Sequence, residues 1–244
     1  MSLAEEFELQ GDRTSVYRFV EGHGPVDPSL VAKATDVDPE SFHHLVAMLQ
    51  RDDLLEATED GRLVVAVHPG EAESFSEGGV DYEIRPARKS DLSGLVGVIR
   101  QVCEDGASVV ARELADRLVY EDIVVRRTPT RSRVVFVGTV SDEVVGWSDV
   151  ELADHPRLSG TAELTVGVID AYRRHGIGSH LVQRGVTWAG TEGCRKIYQS
   201  VPAPNETGIA FLETNGWEVE AVREDHYQLD GELADEVMLA RRIE

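Results

Sequence analysis

Arg173-x-x-Gly176-x-Gly178 sits between a β-branched run, Leu164 to Ile169, and a helical pattern that begins near Gly176, so the segment reads strand, tight loop, helix. Glycine carries no Cβ, and a loop of this composition lets successive backbone N–H groups turn inward. Those donors, added to the positive end of the helix dipole, suit a diphosphate. Glycine pairs also make ordinary turns, and the loop alone does not choose between the two. Glu163 lies at the head of the same strand. An ordinary glutamate titrates at about 4.3 and a lysine-like amine at about 10.4, so Glu163 serves as a base only if burial or a relaying water assists it. Its other reading is a solvated strand-edge carboxylate.

The elements that would position these residues are legible on both sides of the loop. Val134 to Val140, Ser141-Asp142-Glu143 and Val144 to Leu152 read as a β-hairpin. Tyr198 to Val201 reads as a strand, and Asn205 precedes a helical pattern from Glu206 to Thr214 as an N-cap would. A further helical pattern runs from Val109 to Tyr120, followed by the basic residues Arg126, Arg127, Arg131 and Arg133. These suit an acidic partner, a phosphate or a solvated loop.

Residues 82 to 243 resemble the GNAT superfamily of N-acetyltransferases in four blocks met in the superfamily's order. Ile84-Arg85-Pro86-Ala87 with Asp91-Leu92 is similar to its opening strand and first helix; Gly146-Trp147, in the hairpin, stands for a frequent Gly-aromatic pair. Ala162 to Gly178 is similar to the acetyl-CoA segment, and Asn205 with Ala210 to Trp217 resembles the closing block, Trp replacing Phe.

The resemblance implies an α/β fold: a GNAT-type mixed, splayed β-sheet flanked by helices. It implies direct transfer of an acetyl group from acetyl-CoA, the co-substrate, to a primary amine of a small molecule or a protein. Val166, Gly167 and Val168 would pair with the pantetheine arm, a bulge at Gly167 splaying the strand from its parallel neighbour. Arg173, Arg174, His175, Gly176, Ile177, Gly178 and Ser179 would cradle the pyrophosphate, with the Arg174 and His175 side chains adding charge or lying in solvent. Asn205 would contact CoA or fix the splayed strand, beside its ordinary role as a cap. Glu163, in an Ala-Glu-x-x-Val-x-Val context, takes the place of the base, with Asp149 and Glu151 as fallbacks. Leu212 stands where many members have the Tyr that acts as general acid, so Tyr227 is the substitute, with Tyr198 and His226 behind it.

Composition bounds the setting. The net charge is −21 and the lysines are only Lys33, Lys89 and Lys196. Such a surface suits concentrated salt, where the Debye length shrinks to about 3 Å at 1 M and self-repulsion is screened. A halophilic, cytoplasmic protein is expected, or simply an acidic soluble enzyme. Cys103 and Cys194 are far apart and read as core thiols of a reducing compartment. No apolar run approaches the roughly 20 residues of a membrane span, and Met1 to Gln10 lack the features of a signal peptide. The histidines show no spacing such as H-E-x-x-H, so no metal is expected.

A second module is expected at 11–68, a linker rich in breakers and charges at 69–79, and the GNAT-type domain at 80–244. In the first, helical patterns at Thr14–Glu21, Pro28–Thr35 and Pro39–Asp52 precede a hairpin, Leu54–Thr58 and Arg62–Val67, about the turn Glu59-Asp60-Gly61. Val16, Phe19, Val20, Leu30, Val31, Phe42, Leu45, Val46 and Leu49 are its apolar faces, and Asp27-Pro28 and Asp38-Pro39 read as N-caps with proline at the first helical position. The order resembles a winged helix-turn-helix, a small α+β domain. Residues 12–68 hold five Lys/Arg against eleven Asp/Glu, whereas DNA affinity rests on cations that displace counterions. Protein contact, dimerisation or a lid is favoured over DNA. The rival to the enzyme is an acyl-CoA-sensing transcriptional regulator that uses this module on DNA. The oligomeric state stays open, a dimer included.

Overall fold

Asp27-Pro28 and Asp38-Pro39 start helices as their chemistry predicts. In the computed structural model of the chain, Asp27 Oδ1 accepts the Ser29 N–H at 2.8 Å, and Asp38 Oδ1 accepts those of Glu40 and Ser41 at 3.2 and 3.1 Å. Each carboxylate satisfies amides that the first helical turn leaves unpaired, and each proline brings a φ already suited to a helix. The helices are α1 (Asp12–His23), α2 (Pro28–Thr35) and α3 (Pro39–Arg51), followed by a hairpin of β1 (Leu55–Ala57) and β2 (Leu63–Val65). Val16, Tyr17, Val20, Val31, Phe42 and Leu49 pack with Leu55 and Leu63 into a core. Leu30, expected inside, is half exposed, and Tyr17 takes the interior instead.

The structure describes residues 11–23, 25–52, 54–58, 60–66, 70–103, 109–121, 125–128, 131–152, 160–229 and 231–243. Asp53, Glu59 and Val67 to Pro69 fall outside them, as do the side chains of Arg126, Arg127 and Arg131. The chain divides into two compact units: Met1–His68 with Arg126–Ser132, and Pro69–Val125 with Arg133–Glu244.

The chain also forms a nine-stranded sheet. Its strands are β3 (Glu73–Glu77), β4 (Val80–Pro86), β5 (Val125–Thr128), β6 (Arg131–Val140), β7 (Glu143–Leu152), β8 (Thr161–Val168), β9 (Lys196–Pro202), β10 (Glu218–Leu229) and β11 (Glu232–Arg242). They run in the order β10-β11-β9-β8-β7-β6-β4-β3, with β5 paired to β6 off this path. Ser141 and Asp142, at φ 50° and 66°, form the two-residue turn between β6 and β7, whose twist matches that of the strands it joins. The segment expected as a linker therefore contributes a strand: Glu73 to Glu77 pairs antiparallel with Val80 to Ile84 about Gly78-Gly79. Charged residues hid it, because an edge strand exposed on both faces needs no apolar alternation.

One face of the sheet is covered by α4 (Leu92–Val102) and α5 (Val109–Glu121), whose Leu95, Ile99, Leu114 and Leu118 meet Val135, Val137 and Trp147. The other carries α6 (Ile177–Thr191) and α7 (Glu206–Thr214). Gly185 lets α6 lie close to the sheet; a Cβ there would come within 2.7 Å of Leu164 Cδ1 and 2.9 Å of Val150 Cγ2. Cys103 and Cys194 are buried free thiols. Among the described residues no helix is long and apolar enough to cross a membrane.

At the start of α4, Arg85 Nη1 and Nη2 donate to Asp91 at 2.6 and 2.9 Å, both side chains being almost wholly buried. Burial works against the Asp91 carboxylate, yet hydrogen bonds from Arg85 and the Arg88 amide outweigh it and hold the group below its ordinary range. Asp91→Ala leaves a buried guanidinium with Glu83 as its remaining ion-pair partner among the described residues and is expected to cost about 3 kcal/mol in urea unfolding at pH 7. Because the folded-state value is depressed, the contribution is complete above the ordinary Asp value of about 4. It is lost as pH falls through the folded value, so wild type and Asp91→Asn converge in acid.

Candidate active site

The sheet opens between β8 and β9. β8 is bonded to β7 in unbroken register, from Ala162 opposite Leu152 to Val168 opposite Gly146. On its other edge it pairs in parallel with β9 only through Thr161, Ala162 and Glu163, opposite Lys196, Ile197 and Tyr198. Past that point β9 continues to Pro202 with β11 alone. From Leu164 to Val168 the edge of β8 that faces the opening carries main-chain groups outside any ladder, a ready acceptor for another extended chain.

No bulge produces this parting. The continuous β7–β8 register passes straight through Gly167, contrary to the expectation for that residue. Gly167 faces Trp147 across the strands, and a Cβ on it would overlap the indole ring. It is a packing glycine beneath a fully buried Trp147, which fixes β8 to β7 and so leaves β9 as the strand that departs.

The loop after β8 is shaped mainly by its own backbone. Asp170–Tyr172 makes one 3-10 turn, then Arg174 (φ 66°) and Gly176 (φ 80°) take left-handed conformations before α6 begins at Ile177. Arg174 pays the strain that a side chain meets there. Arg173 is committed to the loop itself: its Nε donates to the Val168 carbonyl at 2.9 Å and its Nη1 pairs with Asp170 at 2.7 Å. Gly176 caps α6 without a side chain, so the first-turn amides of Ile177, Gly178 and Ser179 depend on solvent or a ligand. Ile177 is buried as the anchor of this turn. At Gly178 a Cβ would lie 3.1 Å from Phe211 Cζ of α7, so helix and loop approach closely on that side. Asn205 caps α7 by accepting the Gly208 N–H at 2.9 Å.

Sequence reasoning missed what supports the loop from β3 and β4. Phe75 stacks on His180 with ring centroids 3.8 Å apart, Tyr82 Oη lies 2.7 Å from His180 Nδ1, and Glu77 Oε1 lies 3.6 Å from His180 Nε2. His175 Nδ1 meets the Gly78 carbonyl at 3.1 Å. Burial and the Glu77 charge push the Tyr82 phenol up to about 12, so it stays protonated. The signal available beforehand was Phe75 alone, an aromatic among charges.

On the α4–α5 face, Glu163 is opposite Glu151 of β7 and Tyr198 of β9. Like charges in directly opposed positions repel, and Arg117 of α5 relieves this by pairing with Glu151 at 3.1 Å. Asp149 faces Arg133 at 3.8 Å. Arg133 was read as part of a basic patch, but it is a wholly buried residue of β6, tolerated there through this carboxylate. Tyr227 Oη donates to Glu236 Oε1 at 3.1 Å; burial, then the Glu236 charge, holds this phenol well above its ordinary range. Arg223 Nε and His226 Nε2 stand 3.1 and 3.8 Å from Glu236 Oε2. Burial, then the Glu163 and Glu151 charges, likewise raises Tyr198. Glu163 and Tyr198 thus share the mouth of the opening, while Tyr227 and His226 are gathered around Glu236. Among the described residues no group of His, Cys, Asp and Glu is arranged to hold a metal ion.

Residues 103–217 match the family model described as the acetyltransferase (GNAT) family. Over those residues the sequence is similar to that family, and the fold is of the same kind. Solved structures similar to it include a GNAT-family acetyltransferase from Streptococcus pneumoniae, 16% identical with a TM-score of 0.55, which covers 67% of this chain and 99% of its own. The protein yncA from Salmonella typhimurium, solved with its cofactor acetyl-CoA, is 18% identical over 67% of this chain and 94% of its own, with a TM-score of 0.55. A ribosomal-protein-alanine N-acetyltransferase from Brucella melitensis is 20% identical over 65% and 98%, with a TM-score of 0.51. No curated protein sequence matches the chain. The larger unit has the GNAT-like mixed α/β architecture expected, a mostly antiparallel sheet with helices on both faces.

The Trp147–Gly167 contact gives a direct check of how β8 is held. Gly167→Ala is expected to lower stability by about 1–3 kcal/mol through overpacking, read as a fall in melting temperature. Pairing it with Trp147→Phe, which removes the outer ring, is expected to cost less than the sum of the two single changes.

Proposed function

We propose that this chain transfers the acetyl group of acetyl-CoA to a primary amine, by direct attack while both substrates are held together. The observation that carries the reading is the three-residue limit of the β8–β9 pairing, directly ahead of a loop that turns through two left-handed residues into the start of α6, which no side chain caps. An extended pantetheine arm matches the free edge of β8 at Val166, Gly167 and Val168. The cradle of Arg174 to Ser179 suits the diphosphate, with Arg173 setting the loop's shape, while Ile177 anchors it from below. Arg174 adds positive charge at its rim, and His175, beside it, is tied to Gly78. Asn205, already capping α7, borders the same opening. Acetyl-CoA supplies an activated thioester carbonyl, and these residues orient it and exclude water; holding two reactants in register is worth several kcal/mol.

Glu163 takes the proton that the amine loses as it attacks. Its place supports the role: it is half-buried at the last β8–β9 pair, opposite Glu151 and Tyr198. Tyr227 stands as a donor on the far side of the opening, on β10, with its hydroxyl engaged by Glu236. The acceptor is a primary amine of a small molecule or protein.

We read the N-terminal unit as a winged-helix-like module for protein contact rather than DNA, because its helices carry few cations. The carboxylate excess supports a cytoplasmic protein of a salt-rich cell.

Incubation with acetyl-CoA and a panel of amines in molar salt, with thiol release as readout, tests the activity. Glu163→Gln is expected to keep the calorimetric affinity for acetyl-CoA within about threefold and to lose about 100-fold or more in kcat near neutral pH. Undiminished turnover would remove Glu163 from the mechanism; absence of any binding heat in the wild type would remove the reading itself.

A further inference from the structure

β3 lies ahead of the residues that match the family model, yet its side chains run in step along α6. Alternate residues of a strand share a face, and residues four apart on a helix share a stripe. Glu73, Phe75 and Glu77 accordingly meet Arg184, His180 and the Gly176 end of the helix in turn. Arg184 Nη1 pairs with Glu73, and its Nη2 donates to the Glu71 carbonyl at 2.6 Å. The Phe75 ring stacks on His180, and Glu77 Oε1 lies 3.6 Å from His180 Nε2. Just past the strand, the Gly78 carbonyl faces His175 Nδ1 at 3.1 Å.

These contacts reach the residues that shape the loop. His175 stands between the left-handed Arg174 and Gly176. Left-handed backbone at a residue with a side chain persists only where its surroundings over-determine it. A Cβ on Gly176 would overlap Glu77 Oε2 and lie 2.8 Å from Tyr82 Oη, so β3 and β4 fill the space on that side of the loop. The His180 amide donates to the Gly176 carbonyl at 3.1 Å, which closes the first turn of α6. Phe75, Tyr82 and Glu77 hold the ring of the same residue, so fixing that ring fixes the turn.

We propose that β3 is a positioning strand for the diphosphate loop: through His180 and His175 it holds the amides of Ile177, Gly178 and Ser179 ready for the donor, and so ties donor affinity to the diphosphate. This rests on the acetyltransferase reading above. Main-chain donors already in place need no ordering when the ligand arrives, whereas loosened ones must be ordered at the expense of affinity. The loss falls on the part of the ligand that the loop contacts. It leaves the transfer step alone, because β3 takes no part in that step and an interaction equally strong in the bound and transition states affects binding only.

Phe75→Ala and Phe75→Tyr in the full-length protein test this, since Phe75 is a half-buried residue of an edge strand and Tyr keeps the ring that stacks on His180. Phe75→Ala is expected to raise the calorimetric Kd and the KM for acetyl-CoA about tenfold while kcat stays within about twofold, and Phe75→Tyr to restore most of the affinity. With S-acetylpantetheine, a donor that has the thioester arm and no diphosphate, kcat/KM of Phe75→Ala is expected to stay within about twofold of wild type. His180→Leu, which keeps bulk and loses the Tyr82 contact, is expected to follow Phe75→Ala. An unchanged acetyl-CoA Kd in both variants overturns the proposal and leaves the acetyltransferase reading intact. So does an equal loss with both donors, which assigns β3 to general packing. Where wild type does not use the shorter donor, a fall in kcat as large as the rise in Kd overturns it in the same way. Wild type that neither binds nor turns over acetyl-CoA overturns both.

Discussion

Everything in the larger unit is arranged around one shortage: β8 has two edges, and only one of them is bonded along its length. A strand in the middle of a sheet normally spends its amides and carbonyls on both neighbours. Here the parallel partner leaves after three residues. The strand tolerates this because β7 holds it in unbroken register and Trp147 packs against Gly167. An open edge in the interior of a sheet is a binding surface by geometry alone.

The loop at the end of β8 extends the same logic from strand to helix. Two left-handed residues, Arg174 and Gly176, turn the chain into α6, whose first turn no side chain caps. Around this the side chains act as scaffolding. Arg173 ties the loop to Val168 and Asp170, while Phe75, Tyr82 and His180 bind the first turn of α6 to β3 and β4. A site of backbone dipoles fits a chain of net charge −21. Its donors are fixed partial charges held in place by the fold, and they do not depend on exposed lysines whose attraction salt would screen.

Buried charge is handled by pairing rather than avoidance. Arg85 with Asp91, Arg133 with Asp149 and Arg117 with Glu151 put three guanidinium groups against carboxylates beneath or beside the sheet. The planar guanidinium presents several donors in a fixed geometry, which suits such sites better than an ammonium. Glu163, at the last β8–β9 pair, lies opposite a second carboxylate, Glu151, on one side and the phenol of Tyr198 on the other.

The chain's local chemistry decided a great deal by itself. Proline after aspartate fixed two helix starts, the Ser141-Asp142 turn fixed the central hairpin, and the glycines after Arg173 fixed a loop that feeds a helix, because each depends only on residues a few positions apart. The family resemblance added Glu163 and the loop as a pair. Tertiary packing decided the rest. Gly167 reads as a bulge until Trp147 is seen across from it; Arg133 reads as a surface cation until Asp149 is seen beside it. Glu73 to Glu77 reads as a linker until β4 supplies its partner, and nothing in Tyr198 itself marks it as the residue at which β9 leaves β8. These are contacts between residues distant in sequence, and no local pattern encodes which strand a given edge will meet.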